Sequence, residues 1–263
     1  LATLSVAGLS LAALTTALTP NYALAEQVSF NDESIKASYA EFDSPLGHGK
    51  GRGYLVMPTQ TSAPLATVLV VHENRGLNPY VMDVARRVAK AGYMAFAPDA
   101  LFPVGGYPGN DDEGRTLMSG LERGKIEADF VAAAQFCKTL DRHSGKLGVV
   151  GFCFGGYVSN MLAAVAPNII NAAVPFYGTP ASQDLVKNVK APLLLHFAEN
   201  DKRVNDTWPA YEEILKNNGV NYQAFVYPNT QHGFHNDSTS RYAPDAAELA
   251  WARTLAFFKL HLS

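Results

Sequence analysis

The run Leu147-Gly148-Val149-Val150-Gly151-Phe152-Cys153-Phe154-Gly155-Gly156 constrains this chain more than any other stretch. Leu147 to Gly151 reads as a buried strand, and it passes without a linker into Gly-x-Cys-x-Gly-Gly and a helix over Gly155–Ala166. A turn that tight needs glycine at Gly151 and Gly155, because side chains there would collide with the neighbouring strand and helix. This is the nucleophile-elbow pattern with sulfur in place of oxygen. It holds a thiol at a helix start, where the dipole favours the thiolate, and points the Phe154 backbone N–H at a developing oxyanion. The competing reading is a glycine-rich turn around an inert cysteine. The other cysteine, Cys137, lies in an Ala-rich amphipathic helix and reads as a small buried hydrophobe. Two cysteines make no disulfide framework.

The rest of the chain alternates in the same way. Strands are expected over Val28–Phe42, Gly51–Met57, Leu65–His72, Tyr93–Ala97, Ala172–Tyr177, Pro192–Phe197 and Tyr222–Tyr227. Helices are expected over Pro79–Ala91, Lys125–Leu140, Trp208–Asn217 and Ala246–Leu262. Leu65 to His72 is β-branched without alternation, as in a strand covered on both faces. The glycines, prolines and acidic residues of Leu101–Gly114 read as a loop after a strand's carboxyl end. This order predicts an α/β fold with a mostly parallel, doubly wound sheet and its ligand crevice at the carboxyl ends of the strands.

Partners for the thiol should follow it in the order acid, then histidine. Asp201 follows the strand Pro192–Phe197, with Glu199 and Asp206 as competitors. His232 follows the strand ending at Tyr227; it is preferred to His235 because Gly233 lets the backbone turn tightly beside it. His196, inside an apolar strand, reads as a core histidine. After Leu65–Val71 comes His72-Glu73-Asn74-Arg75-Gly76, where the Asn74 N–H is placed to be a second oxyanion donor. Glu73 is either a carboxylate carried to the thiol or a surface acid in a polar loop. Adjacent His72 and Glu73 do not converge on one ion, and no H-x-x-x-H spacing exists, so no metal and no cofactor is expected.

Composition narrows the partners. With 48% hydrophobic residues, 17% charged residues and a formal charge of −3, the chain is ordinarily globular and offers no footprint for nucleic acid. Arg86-Arg87 reads as part of a solvated helix face. Residues Leu1 to Leu18 carry no charge, and Ala23-Leu24-Ala25 offers a small-x-small cleavage pattern. Residues 1–25 therefore resemble an export leader, which would place the protein in the periplasm or outside the cell. A docked apolar helix is the close alternative, with membrane contact if the segment is kept as an anchor. Without a working leader the cytoplasm is expected. Residues 26–263 are expected to form one domain, and a homo-oligomer is compatible with the sequence.

Taken together, Gly-Phe-Cys-Phe-Gly-Gly, His-Glu-Asn-Arg-Gly, Ala97-Pro98-Asp99-Ala100, the Asp201 segment and His232-Gly233-Phe234-His235 resemble the dienelactone hydrolase family, the cysteine-dependent branch of the α/β-hydrolases. The resemblance runs from Ser29 to Ser263 and is narrowest to a bacterial subgroup with an export-like leader. It implies a triad of Cys153, His232 and Asp201, and a role for Glu73 in activating the nucleophile. It also implies a small-molecule ester or lactone substrate. Two arginines that hold the substrate carboxylate in the family have Pro103 and Asn236 in their places here. Arg75, Arg115 or Arg241 could substitute, and Phe102 and Tyr177 are further candidates for substrate contact. A peptidase or thioesterase on the same scaffold, or a binding protein with a degenerate site, are the alternatives.

Overall fold

The computed structural model describes residues 20–60 and 62–263. Eight strands form one sheet: β1 (Ile35–Ser44), β2 (Gly49–Pro58), β3 (Leu65–Val71), β4 (Met94–Pro98), β5 (His143–Phe152), β6 (Ile170–Phe176), β7 (Leu193–Asn200) and β8 (Tyr222–Gln231). Their spatial order is β1-β2-β4-β3-β5-β6-β7-β8. β1, β2 and β4 pair antiparallel in turn; every other pairing is parallel.

The apolar runs without alternation have a direct explanation. In β3, Leu69 and Val71 pack into the core on one face of the sheet, while Val68 and Val70 pack into the core on the other. Successive side chains of a strand point to opposite faces, so a strand sandwiched between helix layers is apolar at every position. One layer contains α4 (Arg123–Cys137), α5 (Phe154–Val165) and α8 (Trp208–Asn217); the other contains α2 (Pro79–Lys90) and α9 (Pro244–Leu262). Short helices α1 (Tyr22–Ala25), α3 (Asp111–Gly120), α6 (Gln183–Val186) and α7 (Lys202–Asn205) complete the chain. This is the architecture of the α/β-hydrolases.

Three local expectations need correction. Val28 to Ser34 is not strand: the backbone N–H of Val28 instead donates to the Asp83 carboxylate at 2.9 Å. Residues 111–114 are not loop but open a helix that runs to Gly120, because the Asn110 side chain caps the N–H groups of Asp112 and Glu113, and the acidic cluster occupies the favourable first turn. Arg86 and Arg87 are not solvated but 5% and 8% exposed. Both pair with Asp83, one turn back on α2, and donate to the carbonyls of Val28 and Ala25, whose segment covers that face.

The expected leader falls mostly outside the described residues, and only its end, from Pro20, is seen. Among the described residues no helix is long and apolar enough to cross a membrane.

Candidate active site

Four strands deliver their following residues to the same edge of the sheet. Glu73 and Asn74 come after β3, Cys153 after β5, Asp201 after β7 and His232 after β8. Cys153 stands between strand and helix at φ +56°, a left-handed conformation that is uncommon for a residue with a Cβ. The closeness of the turn forces the flanking glycines. A Cβ on Gly151 would lie 2.0 Å from the Gly155 carbonyl oxygen, and one on Gly155 would lie 2.2 Å from that of Val71. Cys153 is anchored through its own N–H to the Phe176 carbonyl at 3.1 Å. The first helical bond of α5 runs from the Tyr157 N–H to the Cys153 carbonyl, so the N–H of Phe154 has no partner inside the helix.

His232 Nδ1 lies 2.5 Å from Asp201 Oδ2. A carboxylate can only accept, so Nδ1 donates its hydrogen bond to Asp201 and Nε2 is left toward the thiol. Burial of the imidazole works against its charged form. The Asp201 hydrogen bond, together with the hydrogen bond and charge of Cys153, outweighs burial and raises the pKa to about 9. The competitors are engaged elsewhere: Glu199 accepts the Asn229 N–H, and Asp206 pairs with Lys202. His235 is 2% exposed, bonded to the Tyr80 hydroxyl at 2.7 Å, and stacked on Phe152 beneath the site. Gly233 takes φ +90°, and Arg241 packs against it.

Glu73 is buried, and its Oε2 accepts a 2.8 Å hydrogen bond from the Asn236 amide. The amide is itself oriented, because Ser238 donates from both backbone and hydroxyl to Asn236 Oδ1. His72 takes no part at the surface of the site. It is fully buried, with Nδ1 against the Glu73 carbonyl and Nε2 accepting the Ala100 N–H, and burial holds its pKa down. His196 is likewise a core residue, bonded to Tyr227 and Thr254. Among the described residues no cluster of three histidine, cysteine or acidic side chains could hold a metal ion.

A cavity of about 420 Å³ opens over Cys153 and His232. Glu73, Asn74 and Phe154 line it, together with Arg75, Arg115, Arg123, Arg203 and Arg241. Arg75, Arg115 and Arg123 each have a carboxylate partner, in Asp111, Asp112 and Glu127. Of the expected substrate contacts, Arg75, Arg115 and Arg241 are in the wall. Tyr177 packs its ring 4.9 Å from that of His232. Phe102 lies instead beneath the Arg52 guanidinium, 4.8 Å from ring centre to charge. Arg123, Arg203, Tyr157 and Thr179 were not singled out by the sequence, since nothing in their spacing ties them to the turn.

The sheet and the strand-end site define the chain as an α/β-hydrolase. A family model, the dienelactone hydrolase family, matches residues 52–262, and the chain belongs to that family. "Protein usf" of Aquifex pyrophilus is 36% identical over 225 residues, covering 81% of this chain and 95% of its own. A protein of Aquifex aeolicus (strain VF5), provisionally named a carboxymethylenebutenolidase, is 34% identical over 223 residues, covering 81% of this chain and 94% of its own. The crystal structure of a protein from Klebsiella pneumoniae subsp. pneumoniae MGH 78578, provisionally named a dienelactone hydrolase, superposes with a TM-score of 0.73 at 26% identity, over 85% of this chain and 99% of that one.

Proposed function

We propose that the chain hydrolyses a small ester or lactone by acyl transfer through Cys153. The observation that carries this reading is a cysteine on a strained strand-to-helix turn whose histidine neighbour is bonded to Asp201 at 2.5 Å. His232 Nε2 takes the thiol proton as Sγ attacks the substrate carbonyl carbon, and the carbonyl electron pair moves onto oxygen. The N–H groups of Phe154 and Asn74 are placed to receive that oxyanion. Collapse of the tetrahedral intermediate breaks the ester C–O bond, and the leaving oxygen takes a proton from His232. Water then attacks the thioester, His232 accepts its proton, and the thiolate departs. Asn236 occupies one carboxylate oxygen of Glu73, leaving the other to hold the thiol proton until substrate arrives and His232 takes it.

The family and the name of the Aquifex aeolicus relative favour a lactone among the esters. The arginines along the cavity favour one that carries an anionic group, taking the place of the arginine pair absent at Pro103 and Asn236. Iodoacetamide labelling followed by peptide mass spectrometry tests the nucleophile. Cys153 should react far faster than Cys137, which is fully buried and whose thiol pKa burial pushes up. Labelling should abolish hydrolysis of 4-nitrophenyl acetate, and full activity in Cys153→Ala would sink the reading.

A further inference from the structure

Residues 21–28 pack along α2, and their first residues bond to Asp111, which contacts the active-site loop Glu73–Arg75, and to Ser238, which reaches that loop through Asn236. On one side, Asp111 at the start of α3 is buried and accepts four hydrogen bonds. They come from Tyr22 Oη (2.5 Å), Tyr107 Oη (2.8 Å), Asn78 Nδ2 (3.3 Å) and Arg75 Nη1 (2.8 Å). The Asn78 amide also donates to the Tyr22 hydroxyl at 3.0 Å, while its carbonyl oxygen caps α2. On the other side, the Asn21 N–H donates to the Ser238 carbonyl at 2.8 Å, and Ser238 orients the Asn236 amide that holds Glu73. Between them, Ala25, Gln27 and Val28 are tied to Asp83, Arg86, Arg87 and Asp237.

We infer that this strap sets substrate selectivity, with Tyr22 as a positioning residue that holds Asp111, and through it Arg75, at the cavity wall. The three neutral donors all converge on Oδ1 of Asp111, which leaves Oδ2 to the Arg75 guanidinium alone. The neutral donors leave the carboxylate a single placement, and the bidentate-capable arginine follows it. Removing the Tyr22 hydroxyl takes away the shortest of the three and leaves an Asn78 N–H short of a partner. Asp111 is then free to shift, and Arg75 shifts with it. The inference also bears on the Ala25–Glu26 bond. Cleavage there would remove Asn21 and Tyr22 together, so the selective form of the protein retains residues 21–25. This rests on the reading of the cavity as the substrate site.

The test uses the full chain and two probes of one leaving group, neutral 4-nitrophenyl acetate and anionic mono-4-nitrophenyl succinate. The wild-type protein should favour the succinate. Tyr22→Phe should lower the succinate-to-acetate ratio of kcat/KM about three- to ten-fold, the range of one lost hydrogen bond, with the change carried by KM. Arg75→Gln should lower the same ratio at least as far, and the double variant should fall no further than Arg75→Gln alone, because Tyr22 acts only through Arg75. A wild-type protein indifferent to charge, a Tyr22→Phe ratio equal to wild type, or additive losses in the double variant would each overturn the inference. Activity surviving in Cys153→Ala would instead overturn the cysteine mechanism, and leaves the ratios readable on whatever nucleophile remains.

Discussion

Asp201 grips one nitrogen of His232, and in the proposed mechanism that single bond decides which nitrogen serves the thiol. Asp201→Asn presents an amide that can hold the ring in the wrong tautomer, and kcat should fall by about 10²–10⁴ with KM little changed. Hydrolysis of 4-nitrophenyl acetate at pH 7 measures it. The same bond links proton uptake to folding. Because the folded pKa of His232, about 9, exceeds the ordinary value near 6.5, protonation stabilises the fold fully below about pH 6.5, and this contribution is lost as pH rises through about 9. Urea midpoints should therefore decline between pH 7 and pH 10 in the wild-type protein and decline less in His232→Gln. The gathering of Cys153, Asp201, His232 and Glu73 at one sheet edge was legible because each follows a strand that the apolar pattern marks. Asn236 as the partner of Glu73 was not, since the two are 163 residues apart and only the closed sheet brings them together.

At the scale of elements, the turn and the α2 network are the points least tolerant of change. Gly151→Ala puts a methyl group 2.0 Å from backbone, which no side-chain rotation relieves. The cost should reach about 3 kcal/mol or more, seen as loss of soluble protein or a lowered urea midpoint. Asp83→Ala removes the carboxylate shared by Arg86, Arg87 and the N–H groups of Gln27 and Val28. Breaking such a buried pair from one side should cost about 3–5 kcal/mol, and Asp83→Asn should recover only part of it. The helical period placed α2 correctly from Pro79, and the structure adds Asn78 as its cap and proline in its first turn. It could not reveal that the Arg86-Arg87 face would be covered, because the cover comes from residues 25–28. The acidic residues 111–113 misled for a related reason: a polar cluster reads as loop unless the capping role of Asn110 is recognised.

Over the whole molecule, the neutral histidine buried between β7 and α9 limits acid tolerance. His196 is fully buried and burial lowers its pKa to about 3, whereas the unfolded chain takes up a proton near pH 6.5. A depressed folded value means that stability is intact above pH 6.5 and is lost as pH falls. By pH 5 His196 alone should cost about 2 kcal/mol, measurable as a lower urea midpoint than at pH 7.

The sheet's strand order also has a temporal side. β5, bearing Cys153, lies at the middle of the sheet, whereas β8, which precedes His232, is an edge strand added after β7. On a ribosome the Cys153 turn emerges while His232, its base in the proposed mechanism, is still unsynthesised. On that mechanism a nascent or truncated chain ending before Thr230 has the thiol without its general base. In refolding, esterase activity should return only with the last strand to dock, later than the bulk of the backbone structure.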